Sequence, residues 1–493
     1  MRRIHIGTPP LRRFVVIVCF CHAAIWGAFA GARDANEGSS DARQKSNPGS
    51  VEENNQRESQ ASPLAKLDDK LTMKGWDFAF PGFEEGIWGD AGGLRTQLGR
   101  AGIGFIETSR LIYEKNTLGT PRNASAKDNG TYPDGKAYIG EDNTFVTTSN
   151  LWITYDTSRW GVPDGQLILS IAKNDCDDHI GFAPTSPIQF GEIAWFQTLA
   201  HRKIDFKAGW DLNLYEFIGS NVGGNFANTF GPAQTIQVLM GLSMPEAPTA
   251  RFTWHVSDNF YEEFGVQRSM PVAGKTKNPY YDENTDNPLG IHFNSSIPGT
   301  GELFLNEIGY KQEAAPGKPS TWFRYTSMFN NSSFTDFTRL ASNGMVRGNN
   351  AQSFLLDHQL WQQNPATPAT AYQGFYVGLS YQMASPNATP VTSYEEGRAY
   401  WMAPFRRPAD LFQIVYGHNE FNKYLADFEN QFANQTGIYG QLRSNTYTAT
   451  YLAHLRRGVF ASGGFAYTDR PSQQYFIGEG SSLNFLGSVL LIF

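Results

Sequence analysis

Residues Leu483 to Phe493 obey a rule that few folds satisfy. Every second residue back from Phe493 is apolar or small: Leu491, Val489, Gly487, Phe485, Leu483. The residues between them, Ile492, Leu490, Ser488, Leu486 and Asn484, are mixed. Side chains of a strand alternate between its two faces, so one face of this segment is greasy along its whole length. Two structures fit: a buried edge strand of a soluble protein, and the closing strand of an outer-membrane barrel, apolar toward lipid and ending on an aromatic. The rest of the chain decides between them.

The same alternation recurs upstream. In Thr144–Asp156, Phe145, Leu151, Ile153 and Tyr155 share one face, and Thr148, Asn150, Trp152 and Thr154 the other. Val162-Pro163-Asp164-Gly165 is a turn, and Leu167, Leu169 and Ile171 mark the next strand. Over Lys203–Leu212, Ile204, Phe206, Ala208, Trp210 and Leu212 oppose Lys203, Asp205, Lys207 and Asp211. Phe252, Trp254 and Val256 resume the pattern after a polar interruption from Asn213 to about Pro248. A turn at Ser257-Asp258-Asn259 leads to Phe264 and Val266. Further strands read at Glu302–Lys311, Ser320–Phe329, Ala351–Trp361, Gln373–Tyr381, Gly397–Ala403 and Asp410–His418. Near the end, Tyr447, Ala449, Tyr451 and Ala453 lead to a turn at Arg456-Arg457-Gly458 and on to Ala461, Phe465 and Tyr467. The expected fold is all-β: a transmembrane antiparallel barrel of about sixteen strands, an even number with both termini at one end. Lipid cannot satisfy an open edge, so the sheet must close, and a barrel of this size leaves a water-filled lumen. A connection as long as 213–248 is expected to fold inward. Gly86 to Leu98 reads as a glycine turn opening a short helix at about 91–101, with strands from about Ile103.

Composition agrees. Aromatics make up 14%, yet mean hydropathy is −0.40; lipid-facing residues alternating with wet ones give that combination. Past the N-terminus no apolar run approaches the roughly 18 residues a membrane helix needs. Residues 1–30 read as a signal peptide: Arg2, Arg3, Arg12 and Arg13, an apolar run from Phe14 to Phe20, and the cleavage pattern Ala28-Phe29-Ala30. Removing that segment, which carries four Arg and no acid, takes the formal charge from −7 to −11, which argues against nucleic-acid binding. Cys19 and Cys21 leave with it, so Cys176 stands alone and no intramolecular disulfide or thiolate metal cluster is expected. The acids around it in Asn174-Asp175-Cys176-Asp177-Asp178 suit a solvated loop or a Ca²⁺ site, the loop being preferred. Residues 31–74 are polar and free of aromatics, and are expected to form a disordered periplasmic lead. The expected barrel is residues 75–493.

Four stretches resemble the OprB family of carbohydrate-selective porins. Gly89-Asp90-Ala91-Gly92-Gly93-Leu94-Arg95 is similar to the family's opening Gly-Asp-Trp-Gly-Gly-Leu-Arg. Asn225-Phe226-Ala227-Asn228-Thr229-Phe230-Gly231 resembles its inner-loop stretch. Phe304-Leu305-Asn306-Glu307-Ile308-Gly309-Tyr310 resembles its strand with an inward Glu, and Pro404-Phe405-Arg406-Arg407-Pro408-Ala409-Asp410 a turn of the family. Ala91 departs from the usual Trp, Asp469-Arg470-Pro471 stands where Asn-Pro-Gly is usual, and the lead is unusually long. The resemblance spans roughly Gly86 to Phe493. It implies diffusion of mono- or small oligosaccharides across the outer membrane, past a constriction made by inward loops.

A pore favouring sugars needs donors and acceptors that hold hydroxyls weakly enough to release them. The candidate ladder is Lys203, Asp205, Lys207 and Asp211, beside Arg251, Thr253 and His255; Glu307 and Lys311 form a second inward pair, and Asn225 and Asn228 are placed to narrow the channel. Trp210, Trp254 and Tyr451 read as lipid or interface contacts. No Gly-x-Ser-x-Gly, His-Glu-x-x-His or Cys/His zinc spacing occurs, so neither an enzyme nor a cofactor is expected. Expected partners are small carbohydrates, outer-membrane lipid and, by analogy with other porins, two further copies in a homotrimer. A general or anion-leaning porin, a barrel exporting an exopolysaccharide and a structural barrel with a sealed lumen stay open as alternatives.

Overall fold

The computed structural model describes residues 64, 67, 70–75, 81–118, 144–176, 188–211, 213–217, 236, 240–241, 246–269, 298–470, 474–476 and 480–493. The expected signal peptide, the lead up to residue 63, and Asn225 and Asn228 lie outside these residues.

In chain order the strands are β1 (Ile103–Asn116), β2 (Thr144–Asp156), β3 (Gly165–Cys176), β4 (Gln189–Leu199), β5 (Ile204–Asp211) and β6 (Ala247–His255). Then come β7 (Phe260–Arg268), β8 (Glu302–Gln312), β9 (Thr321–Thr335), β10 (Met345–Gln362), β11 (Gly374–Ala384) and β12 (Val391–Met402). The last are β13 (Leu411–Phe421), β14 (Ile438–Gly440), β15 (Arg443–Arg456), β16 (Val459–Asp469), β17 (Gln474–Phe476) and β18 (Ser482–Ile492). Sixteen of them form one closed barrel; β14 and β17 pair as a separate two-stranded sheet. Closure runs antiparallel between β1 and β18, with Leu111 opposite Val489 and Ile112 opposite Ser488. No backbone edge is left toward lipid, as a spanning sheet requires.

Exposure follows the alternation. On the outer face of β18 Val489 is 38% exposed, whereas Leu486, Leu490 and Ile492 on the other face are buried. Phe252, Trp254, Phe264, Phe304, Ile308, Phe329, Leu379 and Ile414 are likewise exposed on other strands. A belt of this kind is stable only against acyl chains. Trp210 differs from its expected lipid contact: it is 2% exposed, with the Arg268 guanidinium 5.2 Å from its ring. Tyr451 donates its hydroxyl to Asp410.

Connections at the end that holds Ile103 and Phe493 are short, as at 200–203, 256–259 and 457–458, whereas 212–246 and 269–301 lie at the other end. The end with the termini is therefore the periplasmic one. Leading into β1, the helix Leu94–Arg100 follows a 3-10 turn, Ala91–Gly93. Just before it, Ile87 donates its backbone N–H to Ile492 O at 2.8 Å, and Trp88 packs on Phe493 with ring centroids 5.3 Å apart. At the loop end, the helix Lys423–Thr436 is capped by Asn422, whose side chain accepts from Tyr424 and Leu425, and ends on Gly437 at φ 69°.

The end of the expected lead is not disordered. Residues 70–75 run along the inner faces of β1 to β6. Thr154 donates its hydroxyl to Leu71 O. Gln166 donates to Thr72 O at 2.9 Å and accepts from Lys74 N at 2.9 Å. Leu64, Leu71 and Met73 are buried in one cluster with Ile106, Trp152, Ile168 and Phe196. Each such side chain removed from water contributes about 1.5–3 kcal/mol, enough to hold a short segment that polar composition alone would leave free.

Candidate pore constriction

Residues 213–217, 236, 240 and 241 of the polar interruption after β5 lie against the inner faces of the barrel strands. Its one-turn helix Leu214–Phe217 sits against the inner wall, and Phe217 is fully buried. Gly265 on β7 makes room for it, since a Cβ there would lie 2.6 Å from the Phe217 ring. Farther along, Ile236 donates its N–H to Gln382 Oε1 of β11 at 2.7 Å. Asn330 of β9 donates to Met240 O, and Gln267 of β7 to Gly241 O at 3.1 Å. The described residues of this connection therefore contact inner faces on both sides of the conduit, β11 at Ile236 and β7 and β9 at Met240 and Gly241.

Charged wall residues anchor that loop. Arg251 on β6 pairs with Glu216 of the one-turn helix at 2.5 Å and with Glu263 of β7 at 3.1 Å. Arg324 on β9 donates to Glu307 of β8 through Nε at 2.8 Å and Nη2 at 2.9 Å, and also to Glu216 O. Thr326 and Tyr261 donate their hydroxyls to the same Glu307 carboxylate, at 2.7 and 2.8 Å. Fork-shaped guanidinium pairing of this kind fixes geometry as well as charge.

The wall of β10 to β12 carries a second cluster. Arg398 donates to both oxygens of Asp357 at 3.0 and 2.9 Å, to Glu396 at 2.7 Å and to Ser380 Oγ at 2.6 Å. Tyr400 donates to Asp357 at 3.0 Å, and Tyr394 donates to Glu396.

Of the residues singled out from sequence, Lys207 and Asp211 pair at 2.7 Å, both buried, and Arg251 and Glu307 hold the places just described. Asp205 lies near the periplasmic end of β5, 2.8 Å from His255 Nε2, the two side chains 29% and 41% exposed. Lys311 sits over the Trp322 ring, 4.8 Å from its centroid, with Arg324 4.7 Å from the same ring. Thr253 stands opposite Asp205 and Glu263. Lys203 is exposed in the turn before β5, away from the anchored loop. Sequence reasoning missed Glu216, Glu263, Arg324, Asp357, Glu396 and Arg398. Asp357 lay in a strand already read, so its inward side was legible; Glu396 fell just outside the reading of β12. The pairings depend on which strands lie side by side.

Glu246, where the loop rejoins the wall before β6, is pushed up to about 7, chiefly by burial and further by the nearby Asp211 charge. Its folded pKa lies above its unfolded value, so the protonated form is held in the native state. The stability it contributes is present at low pH and is lost as pH rises from about 4.5 to about 7. Cation selectivity is therefore expected to rise across neutral pH as the carboxylate ionises, and Glu246→Gln to remove that step; reversal potentials measured from pH 5.5 to 8.5 check it.

Comparison with known proteins supplies the rest. The family model described as "Carbohydrate-selective porin, OprB family" matches residues 189–484. Among solved structures, the high-pH structure of Pseudomonas putida OprB is similar, with TM-score 0.65 and 14% identity over 84% of this chain and 100% of that one. Salmonella typhi OmpF, in a complex with daunomycin, matches with TM-score 0.46 and 10% identity over 79% of this chain and 97% of that one. No curated protein matches the sequence.

Proposed function

We infer, from the fact that this chain belongs to the OprB family of carbohydrate-selective porins, that its barrel passes mono- and small oligosaccharides by passive diffusion. The observation that carries the reading is the one-turn helix 214–217 fixed in the lumen by Arg251 and Arg324, with Ile236, Met240 and Gly241 tied to β11, β9 and β7. It narrows a wide barrel to a passage lined by fixed donors and acceptors. Such groups trade hydrogen bonds with a sugar's hydroxyls without holding it long. In the two wall clusters and the Lys207 pair, carboxylates (Asp211, Glu216, Glu263, Glu307, Asp357, Glu396) outnumber cations (Lys207, Arg251, Arg324, Arg398). That excess favours neutral solutes over anions and weighs against an anion-leaning pore.

Within the passage, Lys207, Asp211, Arg251 and Glu307 are the proposed constriction residues. Asp205 and His255 are proposed for the periplasmic mouth, with Lys203 and Lys311 beside the path, and Asn225 and Asn228 on the connection after β5. A homotrimer in outer-membrane lipid is proposed by analogy alone; a monomer mass in mild detergent would overturn it.

Liposome swelling with a panel of sugars and equally sized amino acids tests the function. Faster swelling with sugars supports it, and equal rates would leave a general porin. Lys207→Glu should shift the reversal potential toward cations, since it turns a paired cation into an acid beside Asp211. An unchanged potential would place Lys207 away from the narrow part.

A further inference from the structure

The inner faces of β1 to β4 break the rule of a wet lumen. Ile106, Trp152, Ile168, Ala194 and Phe196 point inward and are buried, neighbours on adjoining strands. Elsewhere on the wall, buried apolar residues such as Leu305, Met328 and Leu490 stand among Arg, Glu, Ser and Thr. Residues 70–75 cover that patch. Their backbone carbonyls accept from Thr154, Gln166 and Arg251 on three different strands, so the segment is tied down across the wall. Two glycines are shaped to it. At Gly104 on β1 a Cβ would lie 2.8 Å from Leu71 O, and at Gly75, φ 80°, a Cβ would lie 2.7 Å from the Phe196 ring.

We propose that residues 70–75 are a permanent internal strap of the conduit that sets its size limit, and that Lys74, half-buried on it, is a selectivity residue. This rests on the reading of the barrel as an open passage. Leu71 and Met73 are spent on the apolar patch and Thr72 is buried as well, whereas Lys74 keeps part of its side chain open to the lumen. Lys74 has no hydrogen bond or ion pair from its amine among the described residues. Burial holds that amine below its ordinary range, while Asp164, Asp156 and Asp205 act the other way and Arg202 adds to the lowering. Those acids, with the Asp205–His255 pair, make a polar collar at the periplasmic mouth. A cation among carboxylates there offers donors beside acceptors to a polyol.

Two measurements test the strap in the full-length protein. Deleting residues 70–75 should raise single-channel conductance severalfold and admit larger oligosaccharides in liposome swelling. Separately, Lys74→Cys in a Cys176→Ser background should lose current when a bulky methanethiosulfonate reagent is added, with cationic and anionic reagents shifting the reversal potential in opposite directions. A deletion variant that folds, judged by heat-modifiable mobility, yet keeps wild-type conductance and size limit would overturn the proposal. If the deletion does not fold, complete labelling of the Lys74→Cys variant, verified by mass, with unchanged current would overturn it. The ion currents do not depend on sugar preference. A wild-type barrel that passes sugars and amino acids alike sinks the carbohydrate reading and leaves the strap standing.

Discussion

Arg251→Ala is expected to open the conduit. Arg251 holds Glu216 and Glu263 and donates to Gly75 O, so one side chain joins the one-turn helix, the barrel wall and the strap. Without it, two carboxylates that are less than 2% exposed lose their shared cation. Breaking a buried pair this way costs about 3–5 kcal/mol. The barrel cannot relieve the cost by unpairing strands, because lipid would then face bare backbone. The cheaper escape is to let the one-turn helix at 214–217 leave the wall and carry Glu216 into water. Single-channel conductance should therefore rise severalfold and become noisy, while heat-modifiable mobility changes little. Arg251→Lys should restore only part of the closed state, since an ammonium keeps the charge and loses the fork. Wild-type conductance in Arg251→Ala would show that the loop is held elsewhere.

The barrel was legible because alternation survives wherever one face meets lipid and the other meets water. β2 was read from Thr144 to Asp156, its bounds in the structure. β4 was missed, and the reason is the strap. Ala194 and Phe196 face inward yet are apolar and buried, Phe196 against residues 70–75, so Ile193 to Phe196 reads as a run rather than an alternation. Leu64, Leu67 and Leu71 are spaced as on one helix face, a signal that the polar composition of residues 31–74 masks. The helix Lys423–Thr436 was overlooked for another reason: Asn422 and Gly437 mark its ends, but a search for period two passes over a helix in a loop. Lys207, Asp211, Arg251 and Glu307 could be put on the inner face because parity decides the face. Their partners could not be found that way. Glu216 meets Arg251, and Arg324 meets Glu307, through register between neighbouring strands and through a loop that doubles back.

Arg398→Ala tests the far wall, where Ser380, Glu396 and Asp357, the groups that hold the cation, all lie on barrel strands. Asp357 and Glu396 share that one guanidinium, and Tyr400 and Tyr394 already spend their hydroxyls on the same two carboxylates. Removing Arg398 leaves two like charges facing each other in a site with little water, again at about 3–5 kcal/mol. Here the groups lie on β10 and β12, which both pair with β11, so the cost should appear as lost barrel stability. The heat-modifiability midpoint should fall by many degrees at neutral pH. Acid should repair much of the loss, because protonating the stranded carboxylates removes both the repulsion and the burial of charge. Joining Arg398→Met with Asp357→Asn and Glu396→Gln should recover most of the stability at neutral pH, as neutral replacements of buried ion clusters often do. The effects should be strongly non-additive, since all three residues belong to one network. A midpoint unmoved in Arg398→Ala would mean that water reaches these carboxylates freely, and that this side of the lumen is wide where the β5 to β9 side is narrow.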